Sequence, residues 1–154
     1  LGLDVTRHGQ VEHKDRAMPY FKQELLVESD ERKGLDAKEY QYALANILRI
    51  TRNAIDEAHQ AHQLDALLSP WDGPSWCTDW VNGDAFAGNS YYWPAAIAGY
   101  PHVTVPMGFV HGLPVGLHFI GRAWTEGPLL SLAYAYEQAS GERKAPEFKT
   151  SVGS

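Results

Sequence analysis

Residues 90–122 read SYYWPAAIAGYPHVTVPMGFVHGLPVGLHFIGR. Glycine and proline punctuate a run that is otherwise apolar. Ala95-Ala96-Ile97-Ala98 reads as the end of a buried helix. Gly99 can take the left-handed conformation that closes it, and Pro101 prevents its continuation. His102 to Pro106 follows as a short β-branched strand that Pro106 stops. Phe109-Val110 and Leu113 to Ile120 flank His111-Gly112, which reads as a tight hairpin turn. In the second arm Val115, Leu117 and Phe119 alternate with Gly116, His118 and Ile120, so neither face is polar. Such a strand needs cover on both sides. The chain is therefore expected to be α/β, a mixed β-sheet covered by helices.

Outward from this stretch, helices are expected on both flanks. Pro19 suits a first helical turn, and Tyr20, Phe21, Leu25 and Leu26 mark one side of a short helix from Met18 to Ser29. SDERKG (residues 29–34) reads as a charged loop and a mobile tip. Asp36, with Glu39 three positions on, makes a capping box for a long helix to about Gln63. Its inner face is Leu44, Ile47, Leu48, Ile55 and Ala58, with Glu57, His59 and Gln60 on the wet side. Leu64 to Ser69 reads as a short buried strand ended by Pro70. The nineteen residues from Trp71 to Asn89 show no regular pattern, which suits a loop that lines a pocket. A last helix from Thr125 to Ser140 buries Leu129, Leu132, Ala133 and Tyr136, and Gly141 ends it. The structured core is placed at about 18–146 and a polar tail at 142–154.

The 154 residues are 44% apolar and 21% charged, which suits one globular domain with its own core. A net charge of −6 and the lack of any basic run argue against a nucleic-acid partner. No apolar run approaches the ~18 residues that would span a bilayer, and LGLDVTRHG at the start is not a charged-then-apolar leader. The single cysteine, Cys77, cannot form an internal disulfide and fits the reducing cytoplasm. Five tryptophans and eight tyrosines suit either a core or a ligand cleft.

Several stretches together resemble the amidase signature family of serine hydrolases. AGYPHVTVPMG (98–108) followed by GLPVGLHFIGRAW (112–124) is similar to that family's Ala-Gly-x-Pro, Val-Pro-x-Gly and Leu-Pro-Val-Gly-Leu order. AMPYFKQELL (17–26), LDALLSPWDGP (64–74) and TEGPLLSLAYAYEQASG (125–141) resemble its helix, strand and closing helix in the same order. The resemblance implies hydrolysis of a linear amide bond through a serine acyl-enzyme, with a second serine, a lysine base and no cofactor. It places residues 1–154 as the C-terminal part of one amidase domain about three times longer. The partners it implies are a small-molecule amide and the N-terminal part of the amidase.

The serines of that family stand in a Gly-Gly-Ser-Ser-Gly-Gly type of segment. None of the serines here does, and the lysines all lie in polar contexts, where an amine keeps its proton. No catalytic residue carries over. A pocket wall does. In the amidotransferase branch, an Asp nine residues before the Ala-Gly pair holds the substrate's ammonium group. The matching position is Asn89, whose neutral amide argues against glutamine and for a neutral or aromatic amide. Asn89, Ser90, Tyr92 and Trp93 are the pocket candidates, with Trp71 and Trp80 behind them. The same residues could instead cap a loop and fill the core.

Other chemistries have weaker support. His59-x-x-His62 is reachable by one metal ion, but no third ligand is apparent, so the histidines read as a solvated helix face. No Gly-x-Ser-x-Gly elbow is present. Cys77 has no fixed base beside it and reads as a buried thiol. The alternative function is a non-catalytic binding module built on the amidase fold. In either case the doubly apolar strands predict that the chain associates with itself or with another chain.

Overall fold

In the computed structural model, residues 23–71, 73–85 and 91–146 are described. In chain order the elements are helix α1 (Glu24–Asp30), helix α2 (Lys38–His62), strand β1 (Leu67–Pro70), helix α3 (Trp93–Ala98), strand β2 (His102–Val110), strand β3 (Leu113–Ile120) and helix α4 (Glu126–Ser140). They divide into two compact units. One holds the described residues up to Ala43 together with Thr78–Asp84, and the other holds Leu44–Cys77 and the described residues from 85 onward. The α/β class is as expected, and the three described strands pair antiparallel in the order β1-β3-β2.

β3 is the central strand, and both of its faces are covered. Phe119 packs with Val105 against Leu129 and Ala133 of α4, with Leu117 and Tyr136 beside them. On the opposite face Ile120 packs with Ile55 of α2 and with Ala95 and Ala98 of α3. The two-sided apolar reading of this strand therefore holds, because helices lie on both sides of it. Burying one large aliphatic or aromatic side chain in this way contributes about 1.5–3 kcal/mol.

The hairpin turn forms as read. His111 and Gly112 both have positive φ, 51° and 75°, as a two-residue turn matched to strand twist requires. Pro106, however, does not stop β2. The strand continues to Val110, and the pairing slips by one residue between Pro106 and Gly108. β2 is an edge strand, where a proline costs the ladder little, and the bulge absorbs it. β1 starts at Leu67 rather than Leu64 and includes Pro70, opposite Leu117. It too is an edge, and Leu68 is 60% exposed.

Helix ends follow the glycine logic. Gly99 at φ 70° closes α3, and the Tyr100 N–H donates to Ala95 O at 3.0 Å. Gly141 at φ 62° closes α4. α2 ends without glycine: Gln63 takes φ 51°, and the Leu64 N–H reaches back to His59 O. At its start no capping bond from Asp36 is seen among the described residues. Glu39 pairs instead with Lys33 at 3.4 Å.

The expected inner face of α2 is only half covered. Thr51, Ile55 and His59 are buried, whereas Leu44 and Ile47 are exposed. His59, expected on the wet side, is only 3% exposed. Its Nδ1 lies 2.9 Å from Leu64 O, and since a carbonyl only accepts, Nδ1 carries the proton. The left-handed turn at Gln63 folds the chain back to make this bond. Leu25 of α1 and Leu132 of α4 are also more exposed than expected. Met18 to Phe21 and the tail beyond Pro146 lie outside the described residues.

Candidate functional site

On the α2/α3 face, the outward row of β3 runs Ile120, His118, Gly116. Ile120 is under the helices. His118 is 1% exposed. Gly116 has no side chain, and this decides what can lie over the row. A Cβ there would stand 2.6 Å from Thr104 Cγ2 and 3.7 Å from Trp71 Cβ. Without one, Trp71 comes down onto the sheet, its backbone N–H donating to Gly116 O at 2.8 Å.

Trp71 then stacks on Tyr92, the residue before α3, with centroids 5.5 Å apart and planes 7° apart. Tyr92 stacks on Trp93 at 5.2 Å. Trp71 and Tyr92 both lie over His118, at 4.8 and 6.1 Å. Tyr92 is nearly parallel to His102, at 6.3 Å and 9°. Offset stacking of this kind contributes about 0.5–1.5 kcal/mol per pair beyond burial. The three rings thus form one continuous aromatic wall.

A polar seam runs beneath the wall. His118 Nδ1 meets Thr104 Oγ1 at 2.9 Å and also contacts His102 Nε2. Partial burial pushes the pKa of His102 below the usual histidine value, because a low-dielectric setting disfavours the charged ring. By surface area His102 still counts as exposed. The ring is wet on one side and covered on the other.

Beside the wall an open groove of about 500 Å³ is lined by Ile55, Leu67, Leu68, Ser69, Pro70, Tyr91, Pro94 and Ile120. A smaller cavity of about 240 Å³ lies among Arg52, Gly99, Tyr100, Trp124 and Glu126. Near it Tyr100 OH donates to Asp56 Oδ2 at 2.8 Å, and Arg52 Nε donates to Ala98 O at 3.0 Å. Burial, and then the bond to Asp56, raises the pKa of Tyr100.

Of the residues singled out from sequence, Trp71, Tyr92 and Trp93 come together as one stack. Trp80 belongs to the other compact unit and is 59% exposed. Asn89 and Ser90 lie outside the described residues. Cys77, expected to be buried, is exposed, since it sits in irregular chain with no core element over it. His59 and His62 do not share a face toward solvent, because His59 is buried. Among the described residues no three His, Cys, Asp or Glu side chains gather as for a metal ion.

Sequence reasoning missed His102, Thr104 and His118. The available signal was the alternation that puts His118 in one row with Gly116 and Ile120.

A sequence profile described as "Amidase" matches residues 15–130. The chain belongs to the amidase family. Among solved structures, the native peptide amidase from Stenotrophomonas maltophilia superposes with a TM-score of 0.82 at 43% identity, covering 96% of this chain and 30% of that one. An amidase family protein from Bacillus anthracis superposes with a TM-score of 0.68 at 25% identity, covering 95% of this chain and 25% of that one. A probable amidase of Arabidopsis thaliana is 27% identical over 146 residues, 94% of this chain and 25% of the relative. This amidase-family chain thus spans about 30% of the peptide amidase and 25% of the plant relative. Among the described residues no helix is long and apolar enough to cross a membrane.

Proposed function

We propose that this chain forms part of a single amidase domain that hydrolyses a C–N amide bond through a serine acyl-enzyme. Its own share is the three-stranded sheet, the closing helix α4 and one wall of the amide pocket. The nucleophile and base come from outside these residues. The observation that carries the reading is the Trp71–Tyr92 stack, 5.5 Å and 7°, beside an open apolar groove. A flat aromatic wall next to an apolar cleft suits a ligand with planar amide and apolar parts.

Trp71, Tyr92 and Trp93 form that wall; Asn89, Ser90 and Trp80 are proposed as pocket residues on the sequence alone. The substrate class favoured is a neutral amide of peptide type. Two things support it: the 43% identity to a peptide amidase, and Asn89 where an ammonium-binding site would carry a carboxylate. The small-molecule amide and the remaining part of the amidase are the proposed partners, and the chain by itself is proposed to self-associate. One exposed cysteine supports a cytoplasmic setting.

A second reading, a binding module without catalysis, draws on the absence of any serine here in a glycine-serine-rich segment. Ammonia release from C-terminally amidated peptides decides between them. It is measured on the full product of the gene that contains this sequence. Release that a serine-directed phosphonate abolishes supports the amidase. A pure, folded product that binds peptide amides and releases no ammonia overturns it.

A further inference from the structure

The cavity of about 240 Å³ lies at the other end of α3 from the aromatic wall, and its lining is of another kind. Arg52 Nε donates to Ala98 O at 3.0 Å. That bond fixes the guanidinium plane where α3 closes. It leaves both Nη groups without a partner among the described residues. Glu126, in the first turn of α4, lines the same cavity. Its carboxylate makes no ion pair or hydrogen bond among the described residues. Arg52 and Glu126 thus bring opposite charges to one cavity and do not meet each other.

The remaining charges nearby are already matched. Asp56 accepts from Tyr100 OH and faces Arg122 at 3.7 Å. One free cation and one free anion are left at the cavity among the described residues. A ligand that carried only a negative charge would meet Glu126, and one that carried only a positive charge would meet Arg52, like against like. A ligand with one charge of each sign meets neither penalty.

Trp124 adds a separate observation. It also lines the cavity, it is 91% exposed, and it takes φ 64°. A bulky residue in the left-handed region costs about 1–3 kcal/mol. Thr125 holds the turn, since its N–H and its hydroxyl both donate to Arg122 O, at 3.3 and 2.7 Å. Neither packing nor backbone preference accounts for tryptophan here. An indole at the rim of a charged cavity is suited to an ammonium group. The rest of the lining is small or aromatic, namely Ala98, Gly99, Ala123 and Tyr100, which suits a short apolar side chain. The volume lies below the ~300–1,000 Å³ of drug-sized pockets, so the ligand is small.

We propose that Arg52, Trp124 and Glu126 form a second binding site for a small zwitterion, a free apolar α-amino acid. Its carboxylate meets the two Nη groups of Arg52, and its ammonium group meets Glu126 and the Trp124 indole. The site is separate from the Trp71–Tyr92 wall and does not depend on the reading of that wall as an amide pocket.

The test is isothermal titration calorimetry on the full product of the gene that contains this sequence, with L-leucine as the probe. Two analogues each lack one charge: 4-methylpentanoate has no ammonium group and 3-methylbutylamine has no carboxylate. Leucine is expected to bind at one site per chain, and each analogue about tenfold more weakly or worse, since a hydrogen bond to a charged group is lost. Arg52→Gln and Glu126→Gln are expected to weaken leucine by a similar factor. Trp124→Gly, which takes φ 64° without strain, keeps the turn and is expected to weaken leucine several-fold. Absence of leucine binding overturns the inference. So does equal binding of leucine and either analogue by the parent protein, a result that needs no variant to fold. Leucine affinity unchanged in Arg52→Gln and Glu126→Gln places the ligand elsewhere and overturns it as well.

Discussion

Gly116 stands so close to Thr104 that a β-carbon on it would lie 2.6 Å from Thr104 Cγ2. Relief by rotating Thr104 about χ1 would take Oγ1 away from His118 Nδ1, where it now sits at 2.9 Å. Gly116→Ala therefore costs stability by overpacking, about 1–3 kcal/mol. The lower entropy of the unfolded alanine chain offsets about 0.4–1 kcal/mol of that. The midpoint of urea unfolding is expected to fall. A midpoint at or above that of the parent protein would show that Thr104 yields freely.

Tyr100 ties the end of α3 to α2 through Asp56. Tyr100→Phe removes that hydrogen bond and is expected to cost about 0.5–1.5 kcal/mol. Arg122, 3.7 Å from the same carboxylate, is largely in water and compensates little. The pH dependence has a definite sign. The folded pKa of Tyr100 is raised by burial first and by Asp56 second. Its contribution is thus fully present below the ordinary tyrosine pKa and is lost as pH rises through the folded value. Denaturation midpoints measured from pH 8 into the alkaline range should fall less steeply in Tyr100→Phe. Parallel curves would mean that Tyr100 does not carry the alkaline loss.

The isolated 154-residue chain is expected to hydrolyse no aryl amide. It supplies no serine in the family's glycine-serine setting, and without nucleophile and base most of the rate enhancement is gone. Turnover by pure chain that a serine-directed phosphonate abolishes would place a nucleophile among these residues after all.

Asn89→Asp, made in the complete amidase, is expected to shift preference toward amides that carry an ammonium group. A charge-assisted hydrogen bond is worth about 1.5–3 kcal/mol, or roughly ten- to hundredfold in relative kcat/KM. Equal ratios for neutral and cationic amides before and after the change would remove Asn89 from the pocket.

Self-association has a structural basis in the bare apolar positions Leu44, Ile47 and Ile50 of α2 and Leu68 on the edge strand β1. Covering ~500 Å² of apolar surface at ~25 cal/mol per Å² contributes on the order of 12 kcal/mol before association entropy is subtracted. Light scattering behind size exclusion, at several dilutions, should show species above 17.1 kDa. A monodisperse monomer that binds no hydrophobic dye would show that these faces do not drive assembly.

Local chemistry makes much of this chain legible. Gly99 and Gly141 end helices because a left-handed residue lets the last carbonyls be met. His111-Gly112 closes a hairpin because both residues can take positive φ. The doubly apolar pattern of Leu113 to Ile120 requires a covered central strand, and Trp71, Tyr92 and Trp93 stand out as aromatic residues grouped near turns. Burial is less legible, because a helix face shows which residues could be inside and not how much of it has a neighbour. Leu44 and His59 depart from expectation in opposite directions for that reason.

The histidine seam was decided by tertiary structure. Counted back from the turn at His111-Gly112 without interruption, Val105 would stand opposite His118. The one-residue slip between Pro106 and Gly108 puts Thr104 there instead and His102 opposite Ile120. One extra residue in a ladder of period two exchanges the faces of everything beyond it. The sequence by itself determined the central strand, the turn and the aromatic residues. The bulge decided which face of β2 meets His118, because proline and the packing of both sheet faces set the register together.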